Sequence, residues 1–214
     1  MGKLSRGILG GFQGQTGTVY GTFWRLMDLI KAMPRKVKRA ATAAQLPVQY
    51  KLSIMTAMLS GISEIIKKGF QDTPRPKSPM NAAVAYNIAN AITGVYPALT
   101  IDFSKFMFSQ GKLAKPNAIE VEDGVAAGSI KFSWLASAPG TPNSNLDDTL
   151  TFLVYNPDKA EYVVITGVTL RSALSYELLT PGHFSGDTVQ CYASTVSKDG
   201  KLVSNSVYIG QMVL

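Results

Sequence analysis

From Thr100 to Leu214 the sequence runs in short segments that alternate apolar and polar residues, each closed by a turn signal, and this rhythm restricts the fold more than any other feature. It is clearest at Ile130, Phe132 and Trp134, where alternation puts three apolar side chains on one face of an extended segment. The pattern predicts strands over 100–108, 118–121, 129–136, 149–155, 161–166, 173–179, 187–196 and 202–209. Asp123-Gly124, Pro139-Gly140, Asn156-Pro157-Asp158 and Asp199-Gly200 supply turns between them. About seven short strands over roughly a hundred residues, with one tryptophan in an early strand, describe an immunoglobulin-like or fibronectin type III-like β-sandwich, with Trp134 expected between its sheets. Cys191 is the only cysteine, so it is expected to pack as a small core hydrophobe, and the disulfide of antibody domains is absent. The architecture hosts many unrelated functions and by itself implies binding without naming a ligand.

Upstream, the apolar period changes from two to three and four. Val48, Leu52, Met55, Leu59, Ile62 and Ile66 form a helical stripe that ends near Gly69. Thr42 and Gln45 have the spacing of a capping box, and Pro47 suits a first helical turn, where its missing N–H has no partner to lose. Residues 73–77, with two prolines, read as a stiff link; Ser78-Pro79 then predicts the cap and first position of a second helix that Gly94 closes. Asn81, Tyr86, Asn87 and Asn90 make this helix more polar than a core helix, which suits hydrogen bonds to neighbouring loops or a stripe facing a partner. Near the start, Gly14 and Gly17 suit a hairpin turn beside the β-branched and aromatic run Thr18, Val19, Tyr20, Thr22, Phe23 and Trp24. The expected class is α+β: an N-terminal hairpin plus two helices, followed by a C-terminal β-sandwich. Its expected divisions are 1–95 for the glycine-rich hairpin, basic connector and helices, 96–116 for a strand and linker, and 117–214 for the sandwich.

Charge is split along the chain. Residues 1–80 hold 13 of the 21 Lys and Arg against Asp28, Glu64 and Asp72 alone, a net +10, which leaves 81–214 at −3 within the overall +7. The densest cluster, Arg35, Lys36, Lys38 and Arg39 in the connector 34–42, is the candidate partner contact. It serves either as a solvated linker or as a surface for a polyanion or an acidic neighbour. Low charge overall, 16% of residues, fits a surface partly covered by neighbouring subunits.

No catalytic constellation emerges. His183 is the sole histidine, and Ser185 and Asp187 beside it in one turn do not make a triad, which needs its members to converge in space. One histidine and one cysteine do not furnish a zinc site, and the glycines at 7–21 lack the strand and the Lys-Ser/Thr of a phosphate loop. Acids cluster at Glu120, Glu122 and Asp123 and at Asp147 and Asp148; Glu120 and Glu122 share a strand face and could hold calcium, but usually such a pair is solvated. Trp24-Arg25 and Tyr50-Lys51 could stack bases, and core packing accounts for them equally. No enzyme activity and no cofactor are expected. Lys3 and Arg6 precede glycine-rich sequence instead of an apolar core, and the best apolar stretch, 52–66, is interrupted by polar residues, so neither a signal peptide nor a transmembrane segment is expected. A soluble chain made in the cytoplasm is the corresponding expectation, its final location unknown.

Taken together, the glycines from 7 to 21, Thr42 to Gln45, Met80-Asn81-Ala82-Ala83 with Tyr86-Asn87, Phe184-Ser185-Gly186-Asp187 and Val203-Ser204-Asn205-Ser206 carry a resemblance. Over nearly its whole length the chain resembles an uncharacterised domain-of-unknown-function family of similar length found mainly in Bacteroidetes. Ala43 departs from it, since that family favours proline at the helix start. The opening hairpin, basic arm and helix start also look similar to N-terminal parts of small structural proteins of phages and prophages. Neither resemblance implies catalytic residues. The expected function is a non-enzymatic structural or assembly protein, such as a virion or surface-assembly component, that oligomerises or docks to other protein subunits. In such an assembly the connector of one subunit is expected to meet an acidic surface of the next, rather than Glu120, Glu122, Asp123, Asp147 or Asp148 of its own chain. The alternatives are nucleic-acid or polyanion binding through the basic half, and a ligand-binding β-sandwich module.

Overall fold

A computed structural model describes residues 2–4, 10–33, 40–74, 77–126 and 128–214. The chain divides into two compact units, Met1–Thr42 and Ala43–Leu214. The helices that composition groups with the N-terminal segment therefore belong to the same unit as the later strands.

The first unit forms a four-stranded antiparallel meander instead of a single hairpin: β1 (Lys3–Leu4), β2 (Phe12–Thr16), β3 (Val19–Trp24) and β4 (Met27–Ala32), paired in that order. Gly17, at φ +59°, makes the tight turn between β2 and β3 that its lack of a Cβ permits. The β3–β4 turn is tighter chemically, because Arg25 and Leu26 take φ +50° and +67° without glycine's freedom.

In the second unit the expected first helix is two, α1 (Gln45–Ser60) and α2 (Ser63–Gly69). Gly61 sits at the break, where a Cβ would come within 2.7 Å of the Tyr162 ring. The Tyr162 hydroxyl donates to the Met58 carbonyl at 2.6 Å, satisfying an acceptor that the interrupted helix leaves open. The α1 N-cap is Ala44, without a side-chain capping bond, so Thr42 does not take the capping position; Pro47 does fall in the first turn. Helix α3 (Pro79–Asn90) starts as expected, with the Asn81 N–H donating to Ser78 Oγ at 3.2 Å. It ends four residues before Gly94, which instead shapes the hairpin of β5 (Ile92–Val95) and β6 (Ala98–Ile101). The strand expected over 100–108 stops at Ile101. Asp102 then caps a short 3-10 turn, its carboxylate accepting from the Ser104 N–H at 3.1 Å.

Seven further strands follow: β7 (Asn117–Asp123), β8 (Ser129–Leu135), β9 (Thr149–Asn156), β10 (Glu161–Leu170), β11 (Ser175–Leu179), β12 (Thr188–Val196) and β13 (Val207–Val213). They make two antiparallel sheets, in the orders β10-β9-β12-β13 and β11-β8-β7. The last strand begins later than the expected 202–209, since Val203 and Ser204 form only isolated bridges. One core joins the sheets: Ile130, Phe132 and Trp134 of β8 and Leu178 of β11 meet Phe152 and Val154 of β9 and Val189, Cys191 and Ala193 of β12. On its opposite face the four-stranded sheet packs Leu153, Tyr155 and Tyr192 against Met55, Leu59, Ile62 and Ile66 of the helices. Strands β9 and β12 are thus buried on both faces, which explains why they read as nearly continuous apolar runs. No helix among the described residues is long and apolar enough to cross a membrane.

Candidate functional site

Alternation assigns the side chains of the N-terminal meander to two faces. Cross-strand pairing puts Val19, Gly21 and Phe23 with Ile30 and Ala32 on one face, and Tyr20, Thr22 and Trp24 with Met27 and Leu29 on the other. Gly21 is the only buried residue among those described in this unit, under the Phe12 backbone and ring. Tyr20, Phe23, Trp24 and Met27 are exposed, Ile30 is 69% exposed and Leu26, at the tip of the β3–β4 turn, 87%. At that tip the Arg25 guanidinium lies 4.1 Å from the centre of the Trp24 ring, so a cation caps an otherwise apolar projection. A sheet needs a covering layer to be stable, and this unit supplies none from its described residues.

A second apolar surface belongs to the larger unit. Val48 and Leu52, expected in the core stripe, are exposed, because only from Met55 onward does α1 pack into the core. Leu46 and Tyr50 are exposed there too, with Tyr50 edge-on to Tyr96 of the β5–β6 turn at 5.8 Å.

The expected contact residues Arg35, Lys36, Lys38 and Arg39 lie outside the described residues. Of the described basic residues in 1–80, only Lys67 makes an ion pair, with its own neighbour Glu64 at 2.6 Å. Acidic groups of the later part pair locally instead: Lys131 with Glu122 at 3.7 Å, Lys198 with Asp147 at 2.8 Å, Lys105 with Asp102 at 2.9 Å. The positive charge described in 1–80 is therefore not neutralised by ion pairs to the acidic part.

The remaining titratable candidates do not converge. His183 bonds Glu161 at 2.7 Å in an exposed pair, while Lys159 pairs with Asp187, so neither Ser185 nor Asp187 is oriented by the imidazole. Lys159, then Asn156, hold the Asp187 carboxyl below its ordinary range. Glu120, Glu122 and Asp123 lie along β7, whereas Asp148 is buried; no group of three potential metal ligands comes together among the described residues. Burial pushes the Cys191 thiol up to about 12, which makes it a poor nucleophile.

The sequence gives no sign of Arg171. It is 2% exposed and donates to Ser137 Oγ (2.9 Å), Ser144 Oγ (2.6 Å), Thr195 Oγ1 (3.2 Å) and the Ala114 carbonyl. Its own carbonyl accepts from Trp134 Nε1 at 2.8 Å, and Asp148 lies 4.0 Å from its Nε. Desolvation pulls the guanidinium below its usual range and Asp148 opposes that pull. This cluster ties the loop segments holding Ala114, Ser137 and Ser144 to Thr195 of β12, so its work is architectural.

Residues 11–210 match DUF6266, a family of unknown function, and the chain belongs to that family. Among curated proteins none matches the chain.

Proposed function

We propose that this chain is a non-enzymatic assembly subunit, of the virion or surface-assembly kind, that docks copies of itself through the N-terminal meander. The observation that carries the reading is the sheet with Ile30 and Leu26 bare, since burying one such side chain stabilises by about 1.5–3 kcal/mol and a folded sheet seeks that cover. The second unit is the module presented by the assembly. Its orders β7-β8-β11 and β10-β9-β12-β13 correspond to the A-B-E and C′-C-F-G sheets of a fibronectin type III-like sandwich, which is the finer fold we assign to 117–214. Light scattering on sized fractions tests the docking. Wild-type chain is expected at a multiple of 23.0 kDa, and Ile30→Lys with Leu26→Ser is expected to return it to that mass. A wild-type monomer at every concentration refutes it.

The excess of basic residues in 1–80 supports a second reading, an anionic partner held by Arg35, Lys36, Lys38 and Arg39. Neutralising several phosphates makes affinity fall steeply with salt. Four neutralised phosphates give a log–log slope of about −3.6, so nucleic-acid binding should weaken by about a hundredfold between 50 and 200 mM salt, with a shallower slope once these four residues are Gln. Binding that ignores salt dismisses this reading.

A further inference from the structure

In the second unit a cleft of about 310 Å³ opens between α2 and the sheet formed by β9, β10 and β12. A rung of three hydroxyls runs across its floor. Thr166 pairs across to Thr151, and Thr151 to Ser194, so three strands place three hydroxyl side chains in line on the helix-side face. Elsewhere on this face stand Leu153, Tyr155 and Tyr192, packed against the helices; the hydroxyl rung falls where that apolar packing gives way to the cleft. Thr151 is 4% exposed and Ser194 2%, and neither hydroxyl makes a hydrogen bond among the described residues although both residues line the cleft. Neither oxygen is sealed from the cleft, since among the described residues the buried side-chain polar atoms without a partner are Asp148 Oδ1 and Arg171 Nε, so the row presents open donors and acceptors that a ligand can complete.

We propose that this cleft binds a neutral, hydroxyl-rich small molecule of monosaccharide size. Hydroxyls both donate and accept, and so match a ligand whose own groups do the same. A phosphate or carboxylate would instead call for cations or N–H donors on the floor. The rim is of mixed sign, with Glu64 and Lys68 one helical turn apart, so no net field selects an ion. Ile65 and Phe108 supply the apolar wall that the C–H face of a sugar ring requires. The volume sits at the lower end of the roughly 300–1,000 Å³ typical of small-molecule sites, which suits one ring. This site is separate from the docking sheet, and its test is independent of assembly.

Saturation-transfer NMR on the full chain with glucose, mannose, galactose and N-acetylglucosamine, each at about 10 mM, reads dissociation constants near 1 mM. At least one sugar is expected to receive transfer from the protein, and to lose it by tenfold or more with Thr151→Val and Ser194→Ala together. Thr166→Val, at an exposed position that leaves the fold intact, is expected to weaken it as well, which keeps the test valid should the double variant not fold. Absence of transfer to all four sugars, or transfer that all these variants leave unchanged, overturns the proposal.

Discussion

Replacing Arg171 should be the most damaging single change in the second unit. The guanidinium serves Ser137, Ser144, Thr195 and the Ala114 carbonyl, and among the described residues it is the only cation paired with the fully buried Asp148. Arg171→Ala therefore leaves an uncompensated buried carboxylate as well as unpaired acceptors, a loss of about 3–5 kcal/mol. Arg171→Lys keeps the charge and loses the planar fork, so it should cost roughly half as much. Arg171→Met combined with Asp148→Asn removes the stranded charge, and it should be more stable than Arg171→Met alone by about 1–3 kcal/mol, a coupling that a double-mutant cycle isolates. Urea unfolding followed by tryptophan fluorescence reads all of these variants, since Trp134 is bonded to the Arg171 carbonyl. A cost below about 1 kcal/mol for Arg171→Ala, or no coupling to Asp148, would refute the argument that buried charge compensation holds these loop segments to β12.

Other consequences are as direct. Asn87 accepts from the Met107 N–H at 2.9 Å and donates to the Met107 carbonyl at 2.7 Å, so Asn87→Ala should cost about 1–3 kcal/mol and loosen 106–108 in hydrogen exchange. Asp187 has a depressed pKa, and its stabilising effect is present above the ordinary 3.8 and lost as pH falls through the lower folded value. Wild type and Asp187→Asn should therefore differ in unfolding midpoint at neutral pH and converge in acid; a gap independent of pH would contradict the ion pair with Lys159.

The strands of the larger unit were legible by two signals, alternation where one face packs, as in β8 with Ile130, Phe132 and Trp134, and short apolar runs bounded by turns where both faces pack, as in β9 and β12. Boundaries slipped where side chains replaced ladder bonds. Ser204 Oγ accepts from the Thr195 N–H at 2.9 Å and Ser206 Oγ from the Phe108 N–H at 3.2 Å, so 202–206 reads as strand but is held otherwise. The split of α1 from α2 depends on Tyr162, a hundred residues away in sequence, and no local pattern reports it. Val48 and Leu52 continue the helical stripe faithfully, yet lie on turns that do not pack into the core. The hydroxyl rung was hidden for a similar reason, since Thr151, Thr166 and Ser194 become neighbours only through strand register. Charge splitting was visible at once, because composition needs no fold.

Self-docking through the meander is tested most directly by crosslinking a mixture of unlabelled and ¹⁵N-labelled chains, with links from Lys3, Lys31, Lys36 and Lys38 assigned by mass spectrometry. Lys3 and Lys31 lie in the meander itself, so their links report what covers it. Links joining a light to a heavy peptide are predicted, and they should vanish with Ile30→Lys and Leu26→Ser. Links confined to peptides of equal label would contradict the account and leave the exposed sheet to be covered from within its own chain.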